Sequence, residues 1–159
     1  MSNRTTPTTG SLVWHLATRW RTVADRTVAE WGLTHATYSA LACLRALTTD
    51  RDLPNQRELA NYAGLDPVYT SKLVRVLERD GLLVRRPDPS DARSVLLEIT
   101  EDGATVADRA MARMRRLDQD LTASIGGPSS EAVSALNRTL STLLAQTEPA
   151  RHTTNGDPR

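Results

Sequence analysis

Between Asp66 and Arg93 the chain gathers the side chains best able to recognise another molecule through charge and hydrogen bonds. Within residues 67–86, five basic residues (Lys72, Arg75, Arg79, Arg85, Arg86) stand against two acids (Glu78, Asp80). That is a local excess of three positive charges in a chain whose formal net charge is only +1. Lys72 is the single lysine among 20 basic residues. An arginine-rich composition follows from a GC-rich coding sequence, but it also suits phosphate and carboxylate recognition, where the guanidinium fork donates two parallel hydrogen bonds. At 100° per residue, Val68, Ser71, Lys72, Arg75 and Arg79 fall on one side of a helix, with Tyr69 at its flank. Thr70, Leu73, Val74 and Leu77 fall on the other. The second set buries the helix. The first is either a solvated face or a surface that meets a polyanion.

The elements that must hold these residues are legible from their ends. Thr34 can cap a helix through Leu47. Asn55 with Glu58 has the layout of a capping box and opens a short helix to about Ala63. Gly64 ends it, and Asp66-Pro67 starts the next, a capping acid with proline at the first helical position. Short helix, glycine turn and longer helix make helix-turn-helix spacing. In such units the N-terminal part of the second helix enters the major groove of DNA, where an exposed Val68 could meet a thymine methyl. Lys72 and Arg75 would then reach base edges or phosphates, and Arg79, two turns on, the backbone.

After Gly81 the apolar period changes from helix to strand. "LLVRR" and "SVLLEI" read as two strands joined by the tip "PDPSDAR". The tip carries Asp88, Asp91 and Arg93 and almost nothing apolar, so it packs on no core of its own. A hairpin directly after a recognition helix is a wing, and Arg93 at its end could enter an adjacent minor groove. Phosphate would repel Asp91, so its expected task is to hold Arg93 by a charge-assisted hydrogen bond.

Around this centre lie helical stripes. Apolar residues at 13, 16, 17, 20, 23, 24, 28 and 31 make one from Leu12 to Trp31, stopped by Gly32. Thr100 caps a long helix whose stripe is Val106, Ala107, Ala110, Met111, Met114, Leu117, Leu121 and Ile125. "GGPSS" breaks it before a last helix from Glu131 to Gln146. Residues 1–10 read as a loose arm, and the tail from 148 to 159 as disordered. The expected fold is mainly α, of the α+β kind. A winged helix-turn-helix lobe at 32–100 with a two-stranded wing is flanked by helices at 11–31 and 101–147.

Composition excludes other classes. No apolar run approaches the roughly 20 residues of a membrane span, and "MSNRTTPTTGS" lacks a signal-peptide core, so the expected location is the cytoplasm. No nucleophile elbow, HExxH, P-loop or CxxC is present, and three histidines give no acid–base pair at defined spacing, so no enzyme is expected and no cofactor. His15, His35 and Cys43 are too few and too scattered for a metal site. The lone Cys43 lies in register with Ala40 and Leu47 and reads as a buried structural thiol.

These residues together resemble the MarR family of winged helix-turn-helix transcriptional regulators, from about Leu12 to Leu144. "GLLVRRPDPSDARSVLLEITEDG" is similar to that family's wing, with its Asp-x-x-Asp-x-Arg and Ile-Thr-x-x-Gly, and "NQRELANYAGLDPVYTSKLVRVLERDG" to its two central helices. The resemblance implies an obligate homodimer, held by the first and last two helices, on double-stranded DNA. Its operator would be a pseudo-palindrome with half-sites about 10 bp apart. By position it implies Val68, Tyr69, Ser71, Lys72 and Arg75 as groove contacts, Asn55 and Gln56 as phosphate contacts, Arg93 as the wing arginine and Asp91 as its orienter. Val68 and Tyr69 replace the small hydroxyl residues usual after Asp-Pro, so no base preference carries over. With so few basic residues in the wing, affinity is expected to rest on Lys72, Arg75, Arg85 and Arg86. Many relatives bind small aromatic acids beside the dimer helices. Trp14, His15, Arg19, His35 and Tyr38 lie on the two helices bordering that cleft and could hold one, whereas Trp20, inside the stripe, reads as packing. The expected mode is repression relieved by such a ligand. A metal- or redox-responsive regulator of the same fold, and a helical interaction protein that has lost DNA binding, are the alternatives.

Overall fold

A computed structural model describes residues 6–48, 53–91 and 93–147. The outer part of the expected arm, the middle of the "TTDRDLP" loop, Ala92 and the expected disordered tail lie outside the described residues. The chain divides into two compact units, Met1–Leu117 and Asp118–Arg159.

The first unit opens with α1 (Thr9–Val28) and a 3-10 turn (Ala29–Trp31). The helix starts three residues earlier than the stripe indicates, because the Thr8 hydroxyl accepts from the Ser11 amide and caps it. Residues 9 and 10 therefore belong to the helix and not to the arm. Gly32, at φ 70°, provides the stop. Next come α2 (His35–Leu47), α3 (Gln56–Ala63) and α4 (Pro67–Arg79). Thr34 and Asn55 both form full capping boxes, with Thr37 and Glu58. The Asp66 carboxylate accepts from the Tyr69 amide at 2.9 Å, with Pro67 in the first turn of α4.

Strands β1 (Leu83–Pro87) and β2 (Val95–Ile99) pair antiparallel, Leu83 against Ile99 and Pro87 against Val95. The far edge of β2 is stitched to the start of α3. Leu97 N–H donates to Pro54 O at 2.8 Å, and Asn55 bridges Leu96. Leu41 and Leu44 from α2, Leu59 from α3, Val74 and Leu77 from α4, and Leu83 and Leu97 from the sheet are fully buried in one core. Each such side chain contributes about 1.5–3 kcal/mol of burial, and together they fix the wing on the helix pair.

The base of the wing meets the long helix α5 (Glu101–Thr122) through a tight junction. The Thr100 hydroxyl accepts from the Gly103 amide at 2.9 Å and donates to Gly81 O at 2.8 Å, while the Thr100 amide donates to Leu82 O at 3.1 Å. On α5, Ala107, Ala110 and Met114 are buried as the stripe predicts. Arg45 of α2 also reaches Asp108 of α5, 3.1 Å from its carboxylate. Cys43 is half-buried against the core rather than enclosed, and that burial pushes its thiol above the ordinary value. Ellman's reagent at pH 7 should therefore label native Cys43 much more slowly than the unfolded chain. Equal rates would refute the assignment.

In the second unit, the last turn of α5 passes into a 3-10 turn (Ala123–Ile125), so Ile125 lies beyond the α-helix. Gly126 and Gly127, both at positive φ, make the break. The Ser130 hydroxyl then accepts from Val133 N–H and opens α6 (Glu131–Thr147). Among the described residues, no helix is long and apolar enough to cross a membrane.

Candidate nucleic-acid interface

Because α4 is buried through Thr70, Leu73, Val74 and Leu77, its other face is fixed outward. Val68 is 66% exposed, too much for a core residue, and Tyr69 is 44% exposed beside it. Lys72 and Arg75 are exposed, and Ser71 is half-buried. No carboxylate lies within ion-pair distance of Lys72 or Arg75 among the described residues.

The remaining basic residues are placed differently. Arg79 pairs with Asp80 at 2.8 Å, Arg85 with Glu78 at 2.7 Å, and Arg86 with Glu98 across the wing. Of the four residues on which affinity is expected to rest, Arg85 and Arg86 thus carry an acidic partner, whereas Lys72 and Arg75 have none within ion-pair distance among the described residues. Glu78 and Glu98 lie 7 and 12 residues away along the chain and reach them only through the packing of α4 on β1 and the strand register. The Arg85 guanidinium holds the Glu78 carboxyl below its ordinary value. Since that value is depressed, the pair persists to a lower pH than an unpaired glutamate would allow and opens as the pH falls through the lowered value. Glu78→Gln should free Arg85. DNA affinity should rise a few fold and the dependence on salt should steepen by about one counterion per protomer. Unchanged affinity and slope would mean that Arg85 faces no phosphate.

At the wing tip both acids are spent on the loop itself. The Asp88 carboxylate accepts from the Ser90 amide and hydroxyl at 2.8 and 2.7 Å, which lowers its pKa. Asp91 accepts from the backbone amide of Arg93 at 2.9 Å, and Ser94 N–H donates to Asp91 O. Asp91 therefore positions Arg93 through its main chain and not through its guanidinium. An aspartate two residues ahead of an amide closes an Asx turn, a shorter reach than the end of an arginine. The Arg93 side chain is exposed, with no carboxylate within ion-pair distance among the described residues.

Wing and helices enclose a cleft of about 550 Å³ lined by Asn55, Gln56, Arg57, Pro67, Asp91, Arg93, Ser94 and Val95. The structure thus brings Asn55, Gln56, Asp91 and Arg93 together. The Asn55 side-chain oxygen is committed to the Glu58 amide, leaving its NH2 for a ligand. The start of α3 adds outward-facing amides and a positive dipole end. Arg57 is the addition that the sequence reading lacks. An arginine in the first turn of a helix opposes the dipole, and that mismatch is the signal that could have marked it.

The residues expected to hold a small acid lie on α1 and α2. The Trp14 and His15 rings meet edge to face at 4.7 Å on an exposed part of α1, while His35 and Tyr38 stack at 6.4 Å on α2. Arg19 is exposed, and Trp20 packs against the core. Burial raises the Tyr38 pKa, partly opposed by Arg115. Among the described residues, no group of three or more His, Cys, Asp or Glu is close enough to hold a metal ion.

The MarR family model matches residues 33–95, the segment that forms α2, the helix pair and the start of the wing. An HTH-type transcriptional repressor of Mycobacterium tuberculosis is 29% identical over 75% of this chain and 83% of its own. The crystal structure of CouR from Rhodococcus jostii bound to p-coumaroyl-CoA is 30% identical, covers 88% of this chain and 92% of CouR, and superposes with a TM-score of 0.69. The MepR–DNA complex of Staphylococcus aureus has a TM-score of 0.81 over 90% of this chain and all of MepR. At 21% identity, that likeness is one of fold.

Proposed function

This chain belongs to the MarR family of transcriptional regulators, and from that premise we propose that it is a homodimeric repressor of a pseudo-palindromic operator, released by a small anionic aromatic ligand. The observation that carries the reading is the pairing pattern of the cations. Lys72, Arg75 and Arg93 have no acidic partner within ion-pair distance among the described residues, whereas Arg79, Arg85 and Arg86 each have one. On an exposed helix face and a wing tip, unopposed cations are free to meet a phosphate or a base edge.

In this reading Val68, Tyr69, Ser71, Lys72 and Arg75 face the major groove. Asn55, Gln56 and the α3 amides take backbone phosphates, with Arg57 at the rim of the same cleft. Arg93 enters the minor groove from a tip held by Asp91. Arg79, Arg85 and Arg86 contribute charge at the margin, attenuated by their acids. Dimerisation is supported by the apolar residues left outside the core: Leu12, Val13, Leu16 and Val23 on α1, and Leu136, Leu143 and Leu144 on α6. Two copies of α4 would then read half-sites about one helical turn apart. The ligand class is supported by the aromatic and cationic side chains of α1 and α2, and by the p-coumaroyl-CoA bound in CouR.

Selection from a randomised duplex pool, followed by anisotropy titration of the enriched DNA at several salt concentrations, tests the reading. Enrichment of an inverted repeat with roughly 10 bp between half-site centres, bound by two protomers with a steep salt slope, is the expected result. Failure to enrich any sequence would overturn it.

A further inference from the structure

The first turn of α4 turns its hydrogen-bonding side chains onto its own backbone. Asp66 accepts the Tyr69 amide as the cap, and the buried Thr70 hydroxyl donates to Asp66 O at 2.9 Å. Pro67 has neither a polar side-chain atom nor an amide hydrogen. What this turn presents outward is Val68, the most exposed large hydrophobic side chain among the described residues of the first unit, with Tyr69 beside it. Ser71, Lys72 and Arg75 continue the Val68 face three, four and seven residues on. The outward face of α4 is therefore apolar at its N-terminal end and polar and cationic beyond it.

To a side chain without donors or acceptors the major groove offers one feature. Among the four bases only thymine carries an apolar group there, the methyl on C5, and apolar side chains read it by covering it. Valine in a helix suits that contact. Its χ1 is held in one rotamer about 90% of the time, so its methyls lose little freedom on docking. Cytosine acquires the same methyl at the same ring position when it is methylated on C5. We propose that Val68 reads the C5 methyl of one pyrimidine in each half-site, so that the protein tells thymine from uracil and takes 5-methylcytosine there in preference to cytosine. The inference rests on the reading of α4 as the groove-facing helix and names what that helix recognises. Lys72 lies one turn further along the same face, its Cβ about 5–6 Å from that of Val68. At roughly 3.4 Å per base pair, the methyl-bearing base stands within two steps of the pair that Lys72 meets.

Exchange of thymine for uracil removes the methyl and keeps every donor and acceptor of the base, so it isolates this contact. In the duplex enriched by selection, each thymine is replaced singly by deoxyuridine and each cytosine by 5-methyldeoxycytidine, on both strands. Full-length protein is then titrated by anisotropy. Wild type should lose about fourfold in affinity at one thymine per half-site, the worth of one buried methyl group, and about fifteenfold when both are exchanged. Cytosine placed there should bind weakly and regain about fourfold on C5 methylation. Val68→Ala should bind the thymine duplex about as weakly as wild type binds the uracil duplex, and respond to neither exchange at that position. Its melting temperature should not fall, since the side chain is exposed and alanine favours helix. Absence of any uracil-sensitive position would overturn the inference. So would a sensitivity that Val68→Ala retains in full, because the methyl then acts through another residue or through the shape of the duplex. Protein that binds no duplex at all would refute the groove-facing reading of α4 and the inference with it.

Discussion

Gly103→Ala should destabilise the first unit by about 3 kcal/mol, the upper end of the usual cost of overpacking. A Cβ at this position would stand 1.9 Å from the carbonyl oxygen of Leu82 and 2.8 Å from its carbon. Backbone cannot swing aside as a flexible side chain does, so either α5 or the turn before β1 must move. Movement also stretches the Thr100 amide bond to the same carbonyl and the Thr100 hydroxyl bond to Gly81. Against a typical total of about 5–15 kcal/mol, this is a large fraction of the stability of a domain. Gly10→Ala is the matched control. It is also helical, with no atom within 4 Å of the added Cβ, and exchange should leave stability level or raise it by up to about 1 kcal/mol. Urea unfolding of both variants measures the difference. Equal midpoints would show that the wing base has the slack these contacts deny.

The same junction shows what a sequence can reveal. "ITEDG" reads as a capped helix start, and Thr100 does cap α5. That Gly103 is required for close approach and not for a turn emerges only when Leu82 is seen against it. Caps and stops are local, so Thr34, Asn55 with Glu58, Asp66-Pro67 and Gly64 could all be placed from residue types a few positions apart. The buried face of α4 followed from its period alone. Contacts between elements were beyond reach. The pairs Arg85–Glu78 and Arg86–Glu98 depend on where strands cross helices and on sheet register. Arg57 joins the wing cleft because Pro54 and Asn55 pair with β2, and no spacing rule announces that pairing.

Arg93→Ala should cost about a hundredfold in operator affinity, roughly 1.4 kcal/mol at each of two wings. The slope of log affinity against log salt should fall by about two, one phosphate-region contact being lost per protomer. Stability should not change, because the tip is closed by Asp91 on the Arg93 main-chain amide, which alanine keeps. This separates the two residues experimentally. Asp91→Ala removes the Asx turn but leaves the guanidinium, so its loss of affinity should be smaller and should come from a less ordered tip. Had Asp91 gripped the guanidinium, removing either partner would have comparable effects and a double-mutant cycle would show strong coupling. Arg57→Ala supplies the third arm. Arg57 lines the same cleft as Arg93, and its removal should weaken binding uniformly over all DNA sequences, as loss of a phosphate contact does, whereas Arg93→Ala should weaken A·T-flanked operators most. Wild-type affinity for Arg93→Ala at every salt concentration would remove the wing from the DNA interface and leave α4 to carry recognition alone.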